Sequence, residues 1–132
     1  MGPPTSEAHS LTFLLDSVIV IDHFNGVRAS TEWLSEHSRA CSLSVITRAE
    51  VLAGFAPPKI TLALDLLDHF PTLPITVEIA DLAASLRRSE RWKLPDALQA
   101  AVAMHHGLVL VTRNSRDFRG GGELEVLVPY RV

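Results

Sequence analysis

Short unbroken apolar runs alternate along this chain with longer stretches in which apolar residues recur every third or fourth position. The runs have the character of strands buried on both faces, and the longer stretches that of amphipathic helices. Leu11 to Leu15 is the first run and stops at Asp16; Ser17 to Ile21 stays apolar, and Asp22 is placed to cap or open the next helix. Asn25-Gly26 marks a turn, and Thr31 to His37 reads as a short helix with Trp33 and Leu34 inward. Ser42 to Ile46 is a second, β-branched run; Thr47 with Glu50 three residues later has capping-box spacing, and Gly54 and Pro57-Pro58 close that helix. Lys59 to Phe70 carries Ile60, Leu62, Leu64, Leu66 and Leu67 at helical spacing until Pro71 breaks it. Leu73 to Ile75 is a short third strand, and Thr76 caps a helix through Arg88 with Ile79, Leu82, Ala83 and Leu86 on one face.

The most informative stretch is Lys93 to Phe118. Pro95 suits the start of a helix, and Asp96 faces the positive end of its dipole. Ala97, Ala100, Ala101 and Ala103 make that helix thin enough to lie close against a sheet, and Gly107 stops it. Leu108 to Val111 is a fully buried strand, ending in Thr112, Arg113, Asn114 and then Asp117. Gly120 to Gly122 is a loop, and Leu124 to Val128 a last strand. Strands alternating with helices predict an α/β fold, a parallel sheet covered on both faces.

The length, 132 residues, suits one domain with a real core, and 47 % hydrophobic content excludes a disordered chain. Residues 1–10 read as a disordered leader or expression remnant, and residues 11–132 as the domain. Asp16 and Asp22 interrupt the most apolar N-terminal stretch, so no membrane span is expected. The single Cys41 excludes an internal disulfide and fits a reducing cytoplasm. A net charge of −3 argues against a broad nucleic-acid-coating surface. Yet ten of the twelve basic residues are Arg, and Arg87, Arg88, Arg91, Arg113, Arg116 and Arg119 fall in two clusters near the acidic tips. Guanidinium forks suit phosphate.

Asp16, Glu50, Asp96 and Asp117 all sit just after strands or at helix starts. Singly, each has an ordinary explanation as a cap, a dipole partner or a strand end. Together, a parallel sheet brings them to its carboxyl edge, where α/β folds place their sites. Carboxylates gathered there repel one another unless a hard divalent cation such as Mg²⁺ joins them. The histidines show no metal spacing, and Cys41, Trp33 and Trp92 read as packing residues.

Three segments, LLDSVIVIDHFNG, SVITRAEVLAGF and LPDALQAAVAMHHGLVLVTRNSRDF, stand in the order and at the distances of one family. The chain resembles the PIN-domain ribonucleases, especially the toxins of VapBC-type toxin–antitoxin pairs, from Leu14 to Phe118. The resemblance implies a three-layer α/β/α PIN domain with a central parallel sheet of four or five strands in the order 3-2-1-4-5. It implies a Mg²⁺- or Mn²⁺-dependent endoribonuclease in which Asp16, Glu50, Asp96 and Asp117 are the metal-binding and catalytic acids. Thr112 is then the hydroxyl lining their pocket, and Arg113, Asn114 and Arg116 contact the RNA. Products with a 3′-hydroxyl and a 5′-phosphate, a homodimer and a cognate antitoxin blocking the site are further implications. Val18 stands where members often carry Asn or Ser, and Asn114 where some carry an acid. The alternatives are a PIN fold without activity that binds protein or RNA, and a phospho-receiver domain. The latter requires a paired acid and a lysine where this chain, with only Lys59 and Lys93, has neither.

Overall fold

A computed structural model describes residues 11–132; the leader expected over residues 1–10 lies outside them. Five parallel strands form one sheet: β1 (Phe13–Leu15), β2 (Cys41–Ser44), β3 (Thr72–Leu73), β4 (Val109–Val111) and β5 (Val126–Leu127). Their order is β3-β2-β1-β4-β5. Helices α1 (Ser17–Phe24), α2 (Arg28–His37), α3 (Val45–Ala53), α4 (Ile60–Leu67), α5 (Val77–Glu90) and α6 (Leu94–His106) cover it. This is the three-layer α/β/α arrangement and strand order that the sequence segments imply.

Strand registry explains the layers. Leu14 lies beside Leu110 across β1 and β4, and both turn to the face covered by α5 and α6. Leu15, beside Leu43 and Val111, turns to the opposite face, where Ile19, Val51, Ala63 and Leu67 of the other helices meet it. The Ala residues of α6 are fully buried, as a helix close to a sheet requires. Thr76 caps α5, its hydroxyl accepting from the Ile79 amide at 3.2 Å, and Gly107 ends α6 at φ +65°.

Two boundaries differ from the pattern. Ser17 to Ile21 is not a continuation of strand but the first turns of α1, because Asp16 caps it. The side-chain oxygen of Asp16 accepts from the Ser17 amide at 2.9 Å. Asp22, expected as a cap, lies within α1 and is buried. Likewise β2 ends at Ser44, and Ser44 rather than Thr47 is the cap of α3, accepting from the Thr47 amide at 3.1 Å. Thr47 is one turn inside, its hydroxyl donating to the Leu15 carbonyl at 2.9 Å. Among the described residues, no helix is long and apolar enough to cross a membrane.

Candidate active site

The strand order reverses direction between β1 and β4, and there the two strands deliver Asp16 and Thr112 side by side. Such a switch point at the carboxyl edge is where open α/β sheets form their crevice. The Asp16 amide donates to the Val111 carbonyl at 2.9 Å, so its backbone is fixed by the sheet. Its carboxylate is held by neutral donors. Oδ1 accepts from the Ser17 amide and from the Gln99 amide nitrogen at 3.2 Å, and Oδ2 accepts from the Thr112 hydroxyl at 2.7 Å.

Behind Asp16 lies a buried polar chain. Gln99 Nε2 also donates to Thr47 Oγ1 at 2.7 Å, and the Ser44 hydroxyl donates to Gln99 Oε1. Ser44, Thr47, Gln99 and Thr112 are all buried, and among the described residues no buried side-chain polar atom lacks a partner. A fully satisfied network of this kind fixes one arrangement of its members. Of the four, the sequence marks only Thr112 as a site residue, and Thr47 reads there as a cap. Gln99 carried a signal all the same. It is the polar residue among the buried alanines of α6, three positions after Asp96 and so on the same helical face.

The other acids come from three further elements. Glu50 projects from α3, where it is exposed and has no capping role. Asp96 lies in the first turn of α6. Asp117 sits on a 3₁₀ turn, Ser115–Phe118, its amide donating to the Asn114 carbonyl at 3.0 Å. Thr112 Oγ1 accepts from the Asn114 amide at 3.0 Å, which ties the start of that loop to the Asp16 hydrogen bond. The Asn114 side chain is exposed.

The four carboxylates share an electric field. Asp96 is pushed from an ordinary 3.8 to about 6, first by burial and then by the charges of Asp117, Asp16 and Glu50, against which Lys93 acts. Among the described residues, no three potential ligands are drawn into a coordination-ready cluster. The charges of Asp117, Asp16 and Glu50 reach Asp96, yet the four carboxylates are not drawn together on one point. The donor set is all carboxylate, with no thiolate or imidazole, which fits hard cations such as Mg²⁺ and Mn²⁺ rather than zinc. A cation relieves the repulsion that raises Asp96.

Arg113, expected to contact RNA, is turned to Asp22. Its Nε and Nη2 donate to the two carboxylate oxygens at 2.6 and 2.9 Å, and the Tyr130 hydroxyl adds a bond to Oδ2 at 2.9 Å. Asp22 is not a cap but the buried partner of this fork. The Arg113 bond holds its carboxyl below the usual range. Arg116 stays exposed on a cleft of about 790 Å³ that also borders Asp117. Both Trp residues keep packing roles: Trp33 stacks on His37, and Trp92 meets Phe118 edge to face. Burial pushes the Cys41 thiol up to about 12, so it is not a nucleophile.

A three-layer sheet in this order, with carboxylates at its switch point, defines a PIN domain, and the PIN domain family model matches residues 13–122. The chain belongs to that family. It is 34 % identical over 112 residues to Ribonuclease VapC10 of Mycobacterium tuberculosis, covering 80 % of this chain and 84 % of that protein. It superposes on a chain of a toxin–antitoxin complex from Klebsiella pneumoniae with a TM-score of 0.83 and 34 % identity, over 92 % of this chain and 100 % of the other. A DNA-bound VapBC from Salmonella typhimurium shares the fold, with a TM-score of 0.78, 22 % identity, and coverage of 91 % and 99 %.

Proposed function

We propose that this protein is a metal-dependent endoribonuclease toxin, neutralised by a cognate antitoxin, acting on RNA in the cytoplasm. The observation that carries the reading is Asp16 held at the switch point by neutral donors alone, with Asp96, Asp117 and Glu50 near enough that their charges add to burial in raising the Asp96 carboxyl. Repulsion of that kind costs folding stability, and a divalent cation turns it into binding energy. The likeness to a ribonuclease and to a chain of a toxin–antitoxin complex supports the same reading.

Asp16, Glu50, Asp96 and Asp117 would hold Mg²⁺ or Mn²⁺, which supplies an activated water and offsets charge on the phosphate being cut. The chain does the rest. Thr112, Gln99 and the Ser17 amide fix both oxygens of Asp16, so that this carboxylate does not reorient as substrate arrives. Thr112 simultaneously anchors the loop carrying Asn114 and Asp117. No side chain is required as a covalent nucleophile, and the products carry a 3′-hydroxyl and a 5′-phosphate. A two-fold homodimer, the commonest closed symmetry, is part of the proposal and is checked by light scattering. RNA cleavage in chelator, then with Mg²⁺ or Mn²⁺ restored, tests the central claim. Undiminished cleavage in chelator overturns it.

A further inference from the structure

Beside the acid pocket, and sharing Asp117 with it, the cleft of about 790 Å³ is lined by Arg113, Arg116, Arg119 and Arg131. On a chain of net charge −3 this is a local inversion of sign. The arginines are not equivalent. Arg113 is locked on Asp22. Among the described residues the ion pairs are that one and Arg48–Asp68, so Arg116, Arg119 and Arg131 face the cleft without a carboxylate partner in reach.

Both walls are nonetheless anchored from beneath. The Trp92 indole N–H donates to the Arg119 carbonyl at 3.1 Å. Gly121 packs so closely on the same ring that an added Cβ would stand 2.7 Å from it. On the other side, Tyr130 is bonded to Asp22, which places Arg131 next to a fixed residue. Fixed backbones carrying free guanidinium groups give a preorganised surface for a repeating anion. The lining includes no aromatic ring, and Trp92 beneath it is only 6 % exposed, so bases find no platform to stack on. The size is that of a small-ligand pocket, room for a strand and not for a duplex.

We propose that this cleft is the track for the sugar–phosphate backbone of single-stranded RNA as it runs to or from the acid pocket. Arg116, Arg119 and Arg131 contact phosphates, and Arg113 is the strut that sets the wall. The track binds without regard to sequence, so base selection falls to other surfaces. This inference rests on the nuclease reading for its substrate, and the test separates the two.

The full chain and its Arg→Ala variants at 116, 119 and 131 are titrated in chelator with a labelled single-stranded RNA of about twelve nucleotides. Salt runs from about 50 to 200 mM. Each phosphate contact removed is expected to lower the slope of log K against log salt by about 0.7, or about 2 for the triple variant. In parallel, KM for cleavage rises about tenfold in the triple variant while kcat stays within about twofold, the signature of lost substrate binding. A triple Arg→Lys variant, which keeps the charge, retains most of the slope and guards against a folding artefact.

An unchanged slope and KM in a triple Ala variant that melts like the parent overturn the track and leave the nuclease standing. So does an acidic peptide that binds through these arginines while RNA does not. If the parent fails to cleave with either metal, yet the triple Ala variant still loses the salt slope relative to it, the track stands as an RNA surface and the nuclease reading falls instead.

Discussion

Asp16 caps the short helix within which Asp22 lies, and both are buried, at 8 % and 3 % exposure. Their surroundings differ in one respect that decides their roles. Asp22 is met by a guanidinium fork and a phenol, so its hydrogen bonds and its charge are both answered. Asp16 is met by a backbone amide, a glutamine and a threonine, which satisfy its oxygens and leave its charge in place. Three more carboxylates add to that charge, as the raised Asp96 records. A buried acid with a cation beside it holds structure together; a buried acid on neutral donors, with three more acids near it, leaves room for a cation from outside. Hydrogen-bond satisfaction alone does not separate the two clusters, since neither leaves a buried polar atom unpartnered.

The sharpest way to break this contrast is Asp96→Asn. The change keeps side-chain size and removes one site charge. RNA cleavage is expected to fall at least about a hundredfold, since each 1.36 kcal/mol of barrier is tenfold in rate. The melting temperature should hold or rise as repulsion is relieved. Cleavage close to the parent rate, with a clearly lower melting temperature, would mean that Asp96 serves only the helix dipole.

Asp22→Asn asks the opposite question. It leaves the Arg113 fork, 30 % exposed, facing a neutral amide. Loss of about 2 kcal/mol of stability is expected, below the full cost of breaking a buried pair because water reaches the guanidinium. Cleavage should drop by less than about tenfold, through loosening of the loop after Thr112. A stability loss under 0.5 kcal/mol, the range of an ordinary surface change, would reduce this pair to decoration.

Gln99→Leu probes how far the neutral donors matter. It removes the amide that bridges Ser44, Thr47 and Asp16 while filling its space. About 1 kcal/mol of stability should be lost, and Mn²⁺ affinity, read by calorimetry, should weaken about tenfold. Unchanged metal affinity would remove Gln99 from any role in setting Asp16.

The contrast also explains what the sequence disclosed and what it hid. The alternation of strands and helices, the helix at Leu94 and the four acids at strand ends and helix starts were legible because apolar periodicity and turn residues are local signals; the order of strands in the sheet was implied by the family resemblance alone. The start of α1 was not. Val18, Ile19, Val20 and Ile21 have strand-like side chains, and only the Asp16 cap and burial against the sheet turn them into helix. Thr47 looked like a cap because its spacing to Glu50 is right, yet Ser44 lies where β2 actually ends. The Asp22–Arg113 pair spans 91 positions, a separation at which no local pattern points to a partner. So the acids themselves were visible, and which of them was already neutralised was not.

The smallest effect follows from pH and separates the two clusters by sign. Asp96 ionises near 6 in the folded protein against an ordinary 3.8, raised by burial and its acidic neighbours. The folded state therefore holds that proton more tightly than the unfolded chain does. The stabilisation is present in full below the unfolded value and is lost as pH rises through about 6. For Asp22 the Arg113 bond lowers the folded value, so its stabilisation is present above the unfolded value and is lost as pH falls. Two difference curves test this, from urea unfolding in chelator between about pH 2 and pH 8. Asp96→Asn and the parent should be alike at the acid end. Above pH 6 the variant should become the more stable, by about 1 kcal/mol once solvent screening is allowed for. Added Mg²⁺ should close that gap from the parent's side, because the cation binds the intact acid set. Asp22→Asn should run the other way, its deficit complete at neutral pH and shrinking only as pH falls below about 4. If both gaps move in the same direction, the acids at the switch point do not share a field, and the contrast between a neutralised aspartate and an expectant one fails with it.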